Sequence, residues 1–201
     1  MSKFHISNGN SKMGQIASFS LPAGVTCNPK APCYKKCYAR RMEYRFANVR
    51  NSYVDNLQMW RETPDILETC LQETLMMNRY FRFHVSGDIP DAAYFEMMVR
   101  LAEKASGCDI LAFTKQYHIV NDYLGSGRKL PDNLHILFSV WKDFECPNPH
   151  HLPEAHVIYK DGSTTASGDF KICSGNCSEC ICRGIGCWML KNGEQIALHE
   201  H

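Results

Sequence analysis

Five cysteines crowd into fifteen residues near the end of the chain: Cys173-Ser-Gly-Asn-Cys177-Ser-Glu-Cys180-Ile-Cys182-Arg-Gly-Ile-Gly-Cys187. Thiolates are soft, anionic ligands, and this many on one short loop suit an inorganic cofactor. The loop carries few apolar residues to offset the entropy of holding one shape, so whatever binds the sulfurs must supply the order. A second group lies far upstream, Cys27-Asn-Pro-Lys-Ala-Pro-Cys33-Tyr-Lys-Lys-Cys37. Eight of the eleven cysteines fall in these two groups, and their pairing is the main functional signal in the chain.

Cys173, Cys177 and Cys180 are spaced closely enough to wrap corners of one iron–sulfur cube, with Cys182 or Cys187 taking the fourth. Gly175, Gly184 and Gly186 let the backbone come close to such a body. Zinc is the competing reading, since four thiolates close a tetrahedral structural site, although such sites usually join two pairs across a longer spacer. A disulfide or another redox role is the third. The upstream trio has no near fourth cysteine, so a metal held there keeps an open coordination position, which chemistry needs and structure does not. Unlinked thiols, or a zinc site completed by a histidine, are the plainer alternatives there.

The bulk properties set the frame for these groups. With 201 residues, 44% hydrophobic and 21% charged, the chain can bury one sizeable core. A net charge of +1 creates no general attraction to nucleic acid or membrane. There is no leader-like apolar stretch at the start and no 18-residue apolar run, so a cytoplasmic protein with reduced thiols is expected, and clustered cysteines then mean metal. One segment breaks the charge balance: seven Lys and Arg between Lys30 and Arg50 face Glu43 alone, interleaved with Tyr34, Tyr38, Tyr44 and Phe46. It reads as a solvated helix face or as a patch that meets phosphate or a ligand carboxylate.

The elements that must position these residues follow from periodicity. Residues 13–21 read as a first strand that runs into the upstream cysteine loop. A helix over 33–50 would set Cys33 and Cys37 one turn apart on one face. Thr63-Pro64 starts another, with Leu67, Leu71 and Leu75 inward. Strands at 80–86, 109–115, 133–141 and 155–159 then alternate with helices, the first of which carries a Phe95, Met98, Val99, Ala102 and Ala105 stripe. Arg82, His84 and Ser86 alternate onto one strand face, and Lys115 and Trp141 stand at strand ends, all placed to line the mouth of a barrel. Lys171-Ile172 opens a last strand, and the residues after Trp188 resemble a hairpin turning at Asn192-Gly193. Near-continuous apolar strands separated by helices predict an α/β fold, a partial (β/α) barrel of about six mainly parallel strands. Its expected extent is 1–167, with 168–201 as a cysteine-rich, cluster-binding extension. In such a barrel the loop after the first strand lies at the active end.

Two resemblances attach to these motifs. Phe19-Ser-Leu-Pro-Ala-Gly-Val-Thr-Cys27, Cys33, Cys37-Tyr-Ala, Ser86-Gly87-Asp88, Phe113-Thr114-Lys115 and the closing Cys187-Trp188 resemble the phage-associated gene product 88 family. The order of parts is also similar to radical S-adenosylmethionine (SAM) enzymes, whose TIM-barrel-like fold carries a three-cysteine loop after the first strand. That likeness implies a 4Fe-4S cluster on Cys27, Cys33 and Cys37 with one open iron for SAM, and a Gly-Gly-Glu-like turn at Ser86-Gly87-Asp88 to receive its amino group. It also implies an auxiliary cluster on the tail. The spacing departs from that pattern: five and three residues separate the trio, where three and two are usual, and the usual spacing occurs instead at Cys173, Cys177 and Cys180.

The expected activity is therefore radical-SAM-type reductive chemistry on an unidentified substrate, with one or two 4Fe-4S clusters and SAM, and a reductant such as flavodoxin or ferredoxin. His84 and Lys115 join Ser86, Gly87 and Asp88 as cofactor-contact candidates. The alternative is a structural zinc protein without catalysis that binds nucleic acid through Lys35–Arg50. Neither reading calls for a membrane, and a phage protein of this kind is expected in the host cytoplasm.

Overall fold

The computed structural model describes residues 3–200. Its frame is one open sheet of seven strands, every neighbouring pair parallel, in the order β1-β2-β3-β4-β5-β7-β6. The strands are β1 Ala17–Phe19, β2 Tyr80–Phe83, β3 Asp109–Thr114, β4 Leu134–Ser139, β5 Glu154–Ile158, β6 Lys171–Ile172 and β7 Gln195–His199. The helices are α1 Tyr38–Arg45, α2 Ala47–Glu62, α3 Pro64–Met76, α4 Ala92–Lys104, α5 Tyr117–Gly125 and α6 Cys177–Cys182. Among the described residues no helix is long and apolar enough to cross a membrane.

Alternation along each strand gives the sheet two distinct faces. Phe81 and Phe83 of β2, Ile110 and Ala112 of β3, and Leu134, Ile136 and Phe138 of β4 meet a layer of helices. That layer is built from Leu67, Leu71 and Leu75 of α3 and the buried stripe of α4. Asp91 starts α4 by accepting a 2.8 Å hydrogen bond from the Tyr94 N–H, and Pro64 occupies the first turn of α3. The other face carries Leu111, Leu137, Ala155 and Ile196, with Tyr80 and Phe113 packed alongside. Among the described residues α1 to α5 contribute nothing to this cluster, and α6 packs Cys177 and Ile181 against it. Met13 and Ile16 from the start of the chain and Trp188 and Leu190 from its end fill that side.

The partial-barrel expectation holds for the parallel α/β sheet, which has seven strands and does not close. Four local expectations are corrected. The segment 33–50 is not one helix: Pro32–Tyr34 form a single 3-10 turn, Cys37 is extended at the N-cap of α1, and Phe46 breaks α1 from α2. Asn192-Gly193 turns the chain into β7, which pairs parallel to β5, so there is no hairpin. The first strand shrinks to three residues because Met13 and Ile16 are used to pack against the tail. The Arg82, His84 and Ser86 alternation fails at His84, whose φ of 61° turns its ring into the helix-side core beside Tyr94.

Candidate metal centre

The upstream cysteine loop lies where β1, β2 and β3 end, the edge at which parallel sheets place their ligands. Backbone geometry locks it there. Gly87, at φ 79°, has no room for a side chain: a Cβ would stand 2.6 Å from the Leu21 carbonyl oxygen and 2.8 Å from Thr26 Oγ1. The β1 loop therefore seats directly on the β2 turn. Thr26 Oγ1 accepts from the Asp88 N–H at 3.0 Å, and the Thr26 carbonyl accepts from Gln116 Nε2 at 3.1 Å.

Asp88 is buried and already engaged. One carboxylate oxygen accepts from Thr114 Oγ1 at 2.6 Å and the Ile89 N–H at 2.8 Å, and the other from the Lys115 N–H at 2.9 Å. Burial raises its pKa against the pull of those donors. Ser86 donates to Glu43 Oε1 at 2.6 Å, and the same oxygen accepts from the Ala23 N–H at 2.9 Å. Thus Ser86-Gly87-Asp88 clamps the loop from below, with its polar groups already satisfied inside the protein. Glu43 is the clamp's other jaw; as the one acid in a basic stretch it could have been singled out from the sequence. His84, also buried, pairs through Nε2 with Tyr94 Oη at 3.1 Å, and burial followed by the Arg82 charge drives its pKa down to about 3. It lies in the helix-side core.

The three thiols of this loop bear on one another electrically. Burial pushes the Cys27 thiol up to about 12, partly offset by the Gly24 N–H 3.4 Å from its sulfur, while Asp88, Cys37 and Cys33 add to the rise. Burial also raises Cys33, here opposed by Lys115 and reinforced by Cys37 and Asp88. Lys115 donates to Ser139 Oγ at 2.9 Å and its ammonium stands 5.4 Å from the Trp141 ring centroid, so it presents a positive charge at the same edge.

A second set assembles from the tail. Cys173, Cys177 and Cys187 pack against the open-face core. Burial pushes Cys187 up to about 12, with Cys173, Cys177 and Cys180 adding and Arg82 opposing. Burial raises Cys177 as well, against Arg82. Ser174 Oγ is 3.2 Å from Cys180 Sγ, and the Gly175 N–H lies 3.4 Å from Cys173 Sγ. Gly186, at φ 92°, lets the chain fold back over Cys180, whose Cβ would be 2.9 Å from any side chain there. Cys182 is the exposed member of the five. The tail is tied to the chain's start by the Cys177 N–H donating to the Lys12 carbonyl and by Ser178 Oγ donating to the Met13 carbonyl.

Arg82 stands beside the tail set, where it opposes the rise of the Cys177 and Cys187 thiols. Its guanidinium lies 4.7 Å from the Phe113 ring centroid and 3.8 Å from Met13 Sδ, its Nε is buried without a hydrogen-bond partner, and no ion pair among the described residues includes it. Besides Cys177 and Cys187 it acts on Tyr38: burial raises that phenol, Arg82 opposes the rise, and Cys37 and Cys33 reinforce it. Trp188 Nε1, beside the tail sulfurs in sequence, is also buried without a partner.

Among the described residues no three His, Cys, Asp or Glu side chains converge as the ligands of a metal ion do. By donor type the two sets are candidates for a soft, thiolate-bound metal: burial holds the Cys27, Cys33, Cys177 and Cys187 thiols above their usual pKa, and Lys115 and Arg82 oppose that rise at Cys33 and at the tail pair respectively. A bound cation would reverse the thiol shifts by deprotonating its ligands.

A family model described as Gene product 88 matches residues 3–189. No curated protein and no solved structure matches the chain.

Proposed function

The chain belongs to the gene product 88 family, and from that premise we propose that it is an iron–sulfur protein working as a radical-SAM-type enzyme. Cys27, Cys33 and Cys37 would hold a 4Fe-4S cluster with one open iron, and Cys173, Cys177, Cys180 and Cys187 an auxiliary cluster. What supports this reading most is a single feature: cysteines separated by more than 130 residues form two sets on one sheet, and the Arg82 guanidinium, which has no carboxylate partner among the described residues, acts on the tail thiols. A fully thiolate-ligated cluster is anionic, and a half-buried cation without a carboxylate partner offsets such charge.

When bound, an open-iron cluster supplies a reducing electron to a sulfonium such as SAM. The chain's own residues do the rest. Asp88, Thr26, Ser86 and Glu43 hold the trio's loop in register, so Ser86-Gly87-Asp88 acts by positioning and not by contact. Lys115, with no carboxylate partner of its own in the described structure, offers a contact for an anionic group of the cofactor or substrate. Phe113 covers one side of the Arg82 guanidinium, its ring centroid 4.7 Å away. The electron donor in the host cytoplasm would be a flavodoxin or ferredoxin.

Protein purified without oxygen should contain about eight iron and eight sulfide per chain, the content of two cubes. Replacing Cys27, Cys33 and Cys37 by Ala should remove half and abolish reductive SAM cleavage. Replacing Cys173, Cys177 and Cys180 should remove the other half. Stoichiometric zinc with no sulfide would overturn the reading in favour of a structural protein.

A further inference from the structure

The metal proposal leaves one feature of the surface without a use. Lys35, Lys36, Arg40, Arg41, Arg45 and Arg50 are all exposed, and among the described residues none forms an ion pair. Glu43, the one acid between them, is turned inward with Ala39 and spent on Ser86 and Ala23. The charge at this surface is therefore uncompensated, although the chain as a whole is close to neutral.

Solvated helix faces normally mix charge signs or carry i,i+4 pairs of opposite sign. Here Arg41 and Arg45, one turn apart, repel. Aromatic side chains stand out among the cations at no gain to folding: Tyr44 is 88% exposed and Phe46 40%. The Arg40 guanidinium lies 5.1 Å from the Tyr34 ring centroid and that of Arg45 5.4 Å from Phe46, so flat cation–ring units alternate along the surface. Cations that meet phosphates, interleaved with rings on which bases stack, are the recognition chemistry of single-stranded nucleic acid. Cys37 is the N-cap of α1, so a strand lying here would pass beside the thiol trio.

We infer that the surface from Lys35 to Arg50 binds single-stranded nucleic acid. The inference stands apart from the metal proposal, because the cations and rings remain in place whatever the thiols hold.

The test is fluorescence anisotropy of the full chain with labelled 20-nucleotide RNA and DNA strands, at 50 and 200 mM salt. With about four phosphate contacts, affinity should fall roughly fifty-fold over that range. Arg41→Gln with Arg45→Gln should flatten the salt dependence by about 1.4 in log–log slope, and Tyr44→Ala should cost about fivefold or more in affinity. Lys129→Gln with Lys191→Gln removes the same charge near the other edge of the sheet and should change binding by less than about twofold. Absence of binding at 50 mM salt overturns the inference. So does equal sensitivity to the two charge pairs, or stronger binding to phosphatidylserine vesicles than to either strand. Iron content measured on the same samples separates this result from the metal proposal: binding by metal-free protein keeps the inference and counts only against the clusters.

Discussion

Around Cys27, Cys33 and Cys37 the protein supplies its own order, whereas around Cys173 to Cys187 it supplies little. The first loop rests on a buried carboxylate with three donors, a Ser–Glu pair and a glycine contact that tolerates no side chain. The tail offers an exposed two-residue strand, a six-residue helix with no buried residue, and Gly175 and Gly184 with nothing packed over them. Its firmest anchor is Trp188 with Leu190, both buried, while Cys173, Cys177, Ile181 and Cys187 are partly buried against the same cluster. The difference teaches which site precedes its ligand. A loop held by satisfied polar groups can wait for a cofactor with one position open, while a loop with so few contacts of its own takes its shape from whatever its sulfurs bind.

The comparison breaks first at Asp88. Asp88→Ala strands Thr114 Oγ1 and the Ile89 and Lys115 N–H groups in a buried place, and should cost about 3–5 kcal/mol in a denaturant titration. A loss below about 1 kcal/mol would mean that the upstream loop is not preordered by this clamp.

Next comes acid. The His84 pKa lies near 3 when folded against 6.5 when free, so the unfolded chain binds the extra proton first. The stability this provides is complete above about pH 6.5 and is lost as pH falls toward 3, at up to about 1.4 kcal/mol per pH unit. Asp88, raised by burial, contributes the opposite slope above its free value of 3.8, so the diagnostic is the difference between wild type and His84→Asn. Asn tolerates the positive φ without titrating, and should remove the acid-side slope.

A smaller effect sharpens the tail's side of the comparison. With the proposed tail cluster as the source of order, its removal should speed tryptic cleavage after Lys171 and Arg183 at least about tenfold while β2 to β4 keep their amide protection. Equal loosening of both regions would show that the two loops do not differ in the way described. The smallest effect concerns Asn176, which caps α6 by accepting from the Glu179 N–H at 3.1 Å. Asn176→Ala should loosen residues 177–182 by about 1 kcal/mol in hydrogen exchange of metal-free protein, with the global midpoint unchanged.

Much of the frame is legible in the sequence. The strands expected at 109–115 and 133–141 form over Asp109–Thr114 and Leu134–Ser139, and they, the α4 stripe and the Thr63-Pro64 start all follow from burial on two faces and from helix-end chemistry. What escaped was decided by tertiary contact. Nothing local marks Cys37 as an extended cap, because its conformation follows from a loop pinned by Thr26 and Asp88. Asn192-Gly193 is a hairpin signal, yet the strand after it was claimed by β5, across a crossover that carries the whole tail. His84 follows strand alternation in sequence and departs from it through one backbone angle. At the site, the grouping of cysteines was visible as spacing, but the roles of Glu43 and Arg82 depend on neighbours twenty or more residues away.

The most direct test of the two thiol sets as cofactor sites is anomalous diffraction at the iron edge from crystals grown without oxygen. The account predicts two iron peaks, one within the loop of Cys27, Cys33 and Cys37 and one among Cys173, Cys177, Cys180 and Cys187. A single zinc peak in the tail, or sulfurs of both sets with no metal between them, would contradict it.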